Sequence, residues 1–173
     1  LSAEDKNEAL LSMAKALKDN HEKILEANAQ DIKNGQENGL SEALVERLTL
    51  NENRLEGMAG GLIKMAGLED PTTRSDGQWV NEAGLSISKK RVPLGVIGII
   101  YESRPNVTAD ASGLCLKAGN AVILRGGKEA MNSNKAIVEV LQGGLAKTNV
   151  PKDSIQLITD PSRDCLLYTS PSP

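Results

Sequence analysis

Phenylalanine is absent from the 173 residues, and one Trp and two Tyr are the only aromatic side chains, so any core rests on Leu, Ile, Val and Ala. Cysteine is almost as scarce. Cys115 and Cys165 stand far apart without metal-ligand spacing, which excludes a disulfide framework and gives no metal site. No long block of basic residues occurs, and 20 Lys+Arg against 23 Asp+Glu leave a formal charge of −3, so nucleic acid is not an expected partner. Long apolar runs are missing too: the longest, Leu94 to Ile100, falls far below the roughly 20 residues of a membrane span. The N-terminus reads as a charged amphipathic helix without a signal-peptide core. A soluble, cytoplasmic protein with no membrane partner is the expectation. The single histidine, His21, reads as a surface residue near a helix start rather than a catalytic one. No GxGxxG occurs, which argues against the usual dinucleotide fingerprint. The first residue is Leu1, not Met, which suggests a missing N-terminal stretch.

What is present divides by period. Residues 2 to 68 read as helices. Ser2 with Asp5 resembles a capping box, and Leu10, Met13, Ala14 and Leu17 recur at helical spacing. A second helix fits His21 to about Gln36, closed by Gly39. Ser41 is placed to cap "EALVERL", and Asn51 to cap "ENRLEGMAGGLIKMAGL". Asp70-Pro71 ends the helical region. From Gln78, "QWVNEAGLSISKKRV" alternates on both sides of Asn81 to Gly84, which predicts a β-hairpin with a loop of about four residues and Trp79 packed at its base or at an interface.

Residues 94 to 159 predict βαβαβ. "LGVIGII", "AVIL" and "SIQLIT" read as buried strands, "NVTADASGLCLKAG" as a helix closed by Gly119, and Lys128 to about Lys147 as a second helix. Strands apolar throughout and separated by helices imply a parallel sheet covered on both faces. Ligands of such sheets bind beyond the carboxyl ends of the strands, where "YESRPN" and "RGGKEA" fall.

Each of these segments has two readings. Gly126 and Gly127 give the backbone a turn, with Arg125 and Lys128 as solvated charges. Alternatively, the turn and its two flanking cations hold a phosphate at a helix start. Asn106 caps the helix that follows it, or aims its amide at a developing oxyanion. Cys115, between Leu114 and Leu116, reads as a core thiol.

"KKRVPLGVIGIIYESRPNVTADASGLCLKAGNAVILRGGKEA" resembles the γ-glutamyl phosphate reductase family, the glutamate-5-semialdehyde dehydrogenases of proline biosynthesis, within the aldehyde dehydrogenase superfamily. "ILEANAQDI" and "NGLSEALVERLTL" are similar to the same family, and the likeness runs to about Arg163. It implies an α/β fold of partial aldehyde dehydrogenase type: a helical part of the cofactor domain over 1–77, an oligomerisation-type hairpin over 78–92 and an incomplete Rossmann-like, NADP-binding half over 93–163. It implies NADPH as cofactor, glutamyl 5-phosphate as substrate, a homo-oligomer at full length and, as an open point, association with glutamate 5-kinase. In the superfamily the turn after the second strand approaches the adenosine ribose and its 2′-phosphate, so Arg125, Gly126, Gly127 and Lys128 become cofactor-binding residues, with both cations facing one groove at the sheet's carboxyl edge. Asn106 looks like the superfamily's oxyanion asparagine. Arg104 is placed to meet the substrate's phosphate or carboxylate, or else to pair with Glu102. The family's nucleophilic cysteine lies downstream of the residues given. "DCLLYTSPSP", over 164–173, does not resemble the family and reads as a foreign tail. Another acyl-reducing member of the superfamily and a non-catalytic nucleotide-binding module are the alternatives.

Overall fold

The structure is a computed structural model, and it describes residues 1–73 and 75–160. Cys165 and the expected tail over 164–173 lie outside the described residues.

Helix α1 spans Ala3–Asp19 and α2 spans His21–Glu37. The capping box of α1 forms as expected, with Ser2 Oγ accepting from the Asp5 amide at 3.0 Å and Asp5 Oδ2 from the Ser2 amide at 2.9 Å. Gly39 takes φ +74 and closes α2, its amide and that of Leu40 donating to Gln36 and Gly35 carbonyls. Helix α3, Glu42–Leu48, starts after Ser41, but the Ser41 side chain makes no capping bond; its carbonyl carries the first turn instead. Helix α4, Glu52–Ala66, is capped by Asn51, whose Oδ1 accepts from the Arg54 amide at 2.8 Å. It ends before Asp70, which serves another purpose: its carboxylate is buried against Lys6 Nζ at 2.7 Å and the Thr72 hydroxyl at 2.7 Å.

Strands β1, Ser75–Val80, and β2, Ser86–Lys90, form the antiparallel hairpin. It begins earlier than expected, with a register shift between Ser75 and Gln78, and turns over residues 81–85. Gly84 at φ +78 and the bond from the Leu85 amide to Asn81 Oδ1 close the turn. Trp79, Val80 and Leu85 are exposed.

Strands β3, Val96–Ile100, β4, Ala121–Arg125, and β5, Ile155–Leu157, pair in parallel in that order. Helices α5, Asn106–Lys117, and α6, Met131–Leu145, are the crossovers. A 3₁₀ turn, Lys128–Ala130, leads into α6, so the expected second helix starts with a tighter turn. Gly119 at φ +78 closes α5 as expected.

Both crossovers step the same way across the sheet, and right-handed crossovers in one direction put both helices on one face. Val122, Leu124 and Ile155 point into that face and are buried. Their neighbours Val96 (64% exposed), Ile100 (61%) and Ile123 (38%) point the other way. Within the described residues both crossover helices cover one face, and the strand order β3-β4-β5 contains no reversal that would place a helix on the other. Helices α1 and α4 pack over α5 and α6 from outside, with α2 on α6. Leu10, Met13 and Leu17 of α1 are fully buried there, worth about 1.5–3 kcal/mol each. Gly144 permits the close approach of α6 to α1, since a Cβ there would stand 3.0 Å from Met13 Cα and Ser12 O.

Candidate functional site

The carboxyl ends of β3 and β4 lie side by side, because Ile100 pairs with Arg125 and the Tyr101 amide donates to the Arg125 carbonyl at 3.0 Å. The register brings the two segments singled out in the sequence, 101–106 and 125–130, against each other. Neither Gly126 nor Gly127 has a positive φ, so an exceptional backbone angle is not what they supply. They supply missing volume. A Cβ at Gly126 would fall 2.2 Å from Asn134 Nδ2 and 3.1 Å from the Tyr101 ring, and one at Gly127 would fall 2.7 Å from Ser103 Oγ and 2.9 Å from Glu129 Oε2.

A buried polar chain stands behind this contact. The Tyr101 hydroxyl meets Thr108 Oγ1 at 2.6 Å, and Thr108 Oγ1 donates to Asn134 Oδ1 at 2.9 Å. Burial pushes the Tyr101 phenol upward, an effect partly offset by Thr108. In front, Ser103 Oγ donates to Glu129 Oε2 at 2.8 Å. Loop and turn are tied together on both sides.

The helix start after the turn is already occupied. Asp31 of α2 is buried, and its carboxylate accepts from the Asn132 and Ser133 amides at 3.2 and 2.7 Å and from Asn132 Nδ2 and Ser133 Oγ at 2.8 and 2.6 Å. The positive end of α6, which the sequence reading offered to a phosphate, thus holds the protein's own carboxylate. An anion at this edge depends on side-chain cations.

Those cations are divided between two clefts. Arg125, half-buried, lines a cleft of about 560 Å³ with Ile100, Glu102, Gly127 and Glu129. Lys128 is exposed and lines a neighbouring cleft of about 710 Å³ with Asp31 and Asn132. The two clefts adjoin, with Leu40, Leu44 and Glu129 lining both.

Asn106 is the first residue of α5 and does not cap it. Pro105 stands before it at φ −59, ψ −29, already helical, so the proline starts the turn. The Asn106 side chain instead faces along the helix, with Nδ2 3.5 Å from Asp110 Oδ2. Burial raises the Asp110 carboxyl and Asn106 opposes it. Asn106, Asp110, Arg104, Arg47 and Arg54 line a third cleft of about 360 Å³. Arg104 and Arg47 also line the cleft of Arg125, which makes the two clefts neighbours. No ion pair joins Arg104 to Glu102; the Arg104 amide donates to the Glu102 carbonyl at 2.8 Å. Cys115 is 6% exposed and burial raises its thiol, as a core cysteine's would be.

The sequence reading missed Asp31, Glu129, Asn134 and Asp110. Asp110 carries a usable signal, four residues after Asn106 on one helix face. Asp31 carries none, since it acts from a helix a hundred residues away.

No family model matches the chain. A γ-glutamyl phosphate reductase of Caldanaerobacter subterraneus subsp. tengcongensis is 52% identical over 164 residues, 95% of this chain and 40% of that protein. One of Moorella thermoacetica is 53% identical over 166 residues, 96% of this chain and 40% of that protein. The chain thus spans about two fifths of the length of these curated relatives. The crystal structure of γ-glutamyl phosphate reductase from Thermotoga maritima superposes with a TM-score of 0.94 at 43% identity, over 97% of this chain and 41% of that one. A probable aldehyde dehydrogenase from Listeria monocytogenes shares the fold, with a TM-score of 0.65 at 14% identity over 94% of this chain and 33% of that one.

Proposed function

Because the chain belongs to the γ-glutamyl phosphate reductase family, we propose that the full-length protein uses NADPH to reduce L-glutamyl 5-phosphate to L-glutamate 5-semialdehyde, releasing phosphate, as a step of proline biosynthesis. The observation that carries this reading is the adjacency of two clefts at the sheet's carboxyl edge, one holding Arg125 and the other Asn106, with Arg104 and Arg47 bordering both. A cofactor in the first cleft and an acyl substrate in the second would meet across that border.

The residues of the first cleft fit NADPH. Gly127 lets Ser103 and Glu129 close against the turn, and Arg125 beside it offers a planar guanidinium suited to gripping the 2′-phosphate with two hydrogen bonds. The helix start is taken by Asp31, so Arg125 is the principal anchor and Lys128 contributes from the far side of Glu129. The Glu129 carboxylate suits a ribose hydroxyl and not a phosphate. When bound, NADPH supplies the hydride. Asn106 is assigned to the oxygen of the acyl group, where an amide donor stabilises developing negative charge. Cys115 is not the nucleophile, for it is buried with a raised thiol. The thioester-forming cysteine belongs to the part of the family's length that this chain does not span, and the chain by itself is not expected to turn over. Among the described residues no helix is long and apolar enough to cross a membrane, and a cytoplasmic enzyme is proposed. The exposed Trp79, Val80 and Leu85 of the hairpin suit a homo-oligomeric contact at full length. Glutamate 5-kinase, whose product is the acyl phosphate, is the further partner this reading admits.

The test is Arg125→Ala in the full-length protein, with NADPH and NADH affinities measured by titration. NADPH binding is expected to weaken by about 1.5–3 kcal/mol, the scale of a charge-assisted hydrogen bond, and NADH binding much less. Equal losses for both cofactors would show that Arg125 stabilises the fold and does not read the 2′-phosphate.

A further inference from the structure

The cleft of Asn106 holds more charge than an oxyanion contact requires. Three arginines, Arg47, Arg54 and Arg104, and one carboxylate, Asp110, line it. Arg54 is committed to the wall: its Nη1 donates to the Glu46 and Thr49 carbonyls, and its Nη2 lies 3.6 Å from Glu46 Oε1. Arg47, on the last turn of α3, and Arg104, on the loop after β3, are exposed at the rim. Asp110 is half-buried on α5, and its Oδ1 faces α4, where a Cβ on Gly61 would lie 3.6 Å from it. Its neutral polar neighbour is the Asn106 amide at 3.5 Å. A carboxylate kept half out of water beside a neutral amide, facing a cleft, is a place for a cation.

Resting on the function proposed above, we infer that this cleft reads the amino-acid end of the substrate, with Asp110 receiving the α-ammonium and Arg47 and Arg104 the α-carboxylate. Asn106 and Asp110 stand one helical turn apart, and their side-chain ends lie 3.5 Å from each other, so ligand atoms held about 3 Å beyond each are a few bonds apart. That spacing suits a substrate whose reacting carbonyl oxygen meets the first and whose ammonium, a short methylene chain away, meets the second. The opposite charges of the substrate's far end match the opposite charges of the cleft. An acyl group with a carboxylate but no amine would satisfy the arginines and bring Asp110 no cation of its own.

The full-length enzyme is assayed in the oxidative direction, with NADP⁺ and inorganic phosphate, on glutamate 5-semialdehyde and on its des-amino analogue 5-oxopentanoate. The wild type is expected to favour the amino substrate in kcat/KM. In Asp110→Asn, which keeps shape and the contact with Asn106, the ratio of the two kcat/KM values is expected to fall by about ten- to a hundredfold, the range of one hydrogen bond to a charged group. Were Asp110→Asn not to fold, Asp110→Ser is read by the same ratio. A wild type that does not distinguish the substrates, or a variant that loses equally on both, overturns the assignment of Asp110 and leaves the proposed reaction standing. A wild type with no turnover of either substrate overturns both readings.

Discussion

Adding one methyl group at Gly126 tests the fit between the two loops of the site. The backbone there has no positive φ, so alanine is conformationally allowed and any cost is steric. The new Cβ would start 2.2 Å from Asn134 Nδ2, and that gap has to open by more than about 1 Å to reach ordinary contact. Asn134 is fully buried and its Oδ1 is held by Thr108 at 2.9 Å, while Thr108 is held by Tyr101 at 2.6 Å. Moving the amide breaks that chain inside the protein, which costs about 1–3 kcal/mol for the group left unsatisfied. Moving the turn instead drags Arg125 and Gly127 off the β3 loop, at an overpacking cost of about 1–3 kcal/mol. We expect Gly126→Ala to destabilise by about 1–3 kcal/mol, whichever way the clash is relieved, and to weaken NADPH binding, read in the full-length enzyme as a lowered Tm and a raised cofactor Kd. The decisive measurement is the double variant Gly126→Ala with Asn134→Ser, in which the clashing amide is gone. Its loss should be smaller than the sum of the single losses by about 1–3 kcal/mol. Strict additivity would mean that Gly126 and Asn134 do not press on one another, and the account of the turn would fail.

Asp31→Ala removes the acceptor of two amides and two side-chain donors at the start of α6; a loss of about 1.5–3 kcal/mol is expected in thermal unfolding, the scale of hydrogen bonds to a charged group, and a loss below about 1 kcal/mol would show that water replaces it. Asp70 supplies a pH signature. Burial alone would raise its carboxyl, but the hydrogen bonds from Lys6 and Thr72 outweigh burial and hold it at about 2, below the ordinary 3.8. A depressed carboxylate stabilises the fold above its unfolded pKa, so this contribution, about 2 kcal/mol, is present above pH 4 and is lost as pH falls through about 2. Circular dichroism across that range should show acid unfolding displaced in Lys6→Met, and an identical acid transition would refute the role of the pair.

The elements and their order were legible in the sequence because they depend on local chemistry. The Ser2–Asp5 box, the left-handed glycines Gly39 and Gly119, and the apolar strands around Gly98 and Val122 each declare themselves within a few residues. So was the region of the site, since any parallel strand delivers its next residues to the same edge. The purpose of the glycines was not legible. Gly126 and Gly127 read as turn-formers and prove to be clearances for Asn134, Tyr101 and Ser103. The free helix start was equally illusory, because the carboxylate that fills it comes from α2. Sequence alone determined which cations and amides reach the sheet's edge. Tertiary structure decided what stands around them: Glu129 between Arg125 and Lys128, and Asp110 beside Asn106. The reason is physical: strand and helix propensities act over a few residues, whereas a cleft is the space left between elements distant in the chain, and its lining is fixed only when they pack.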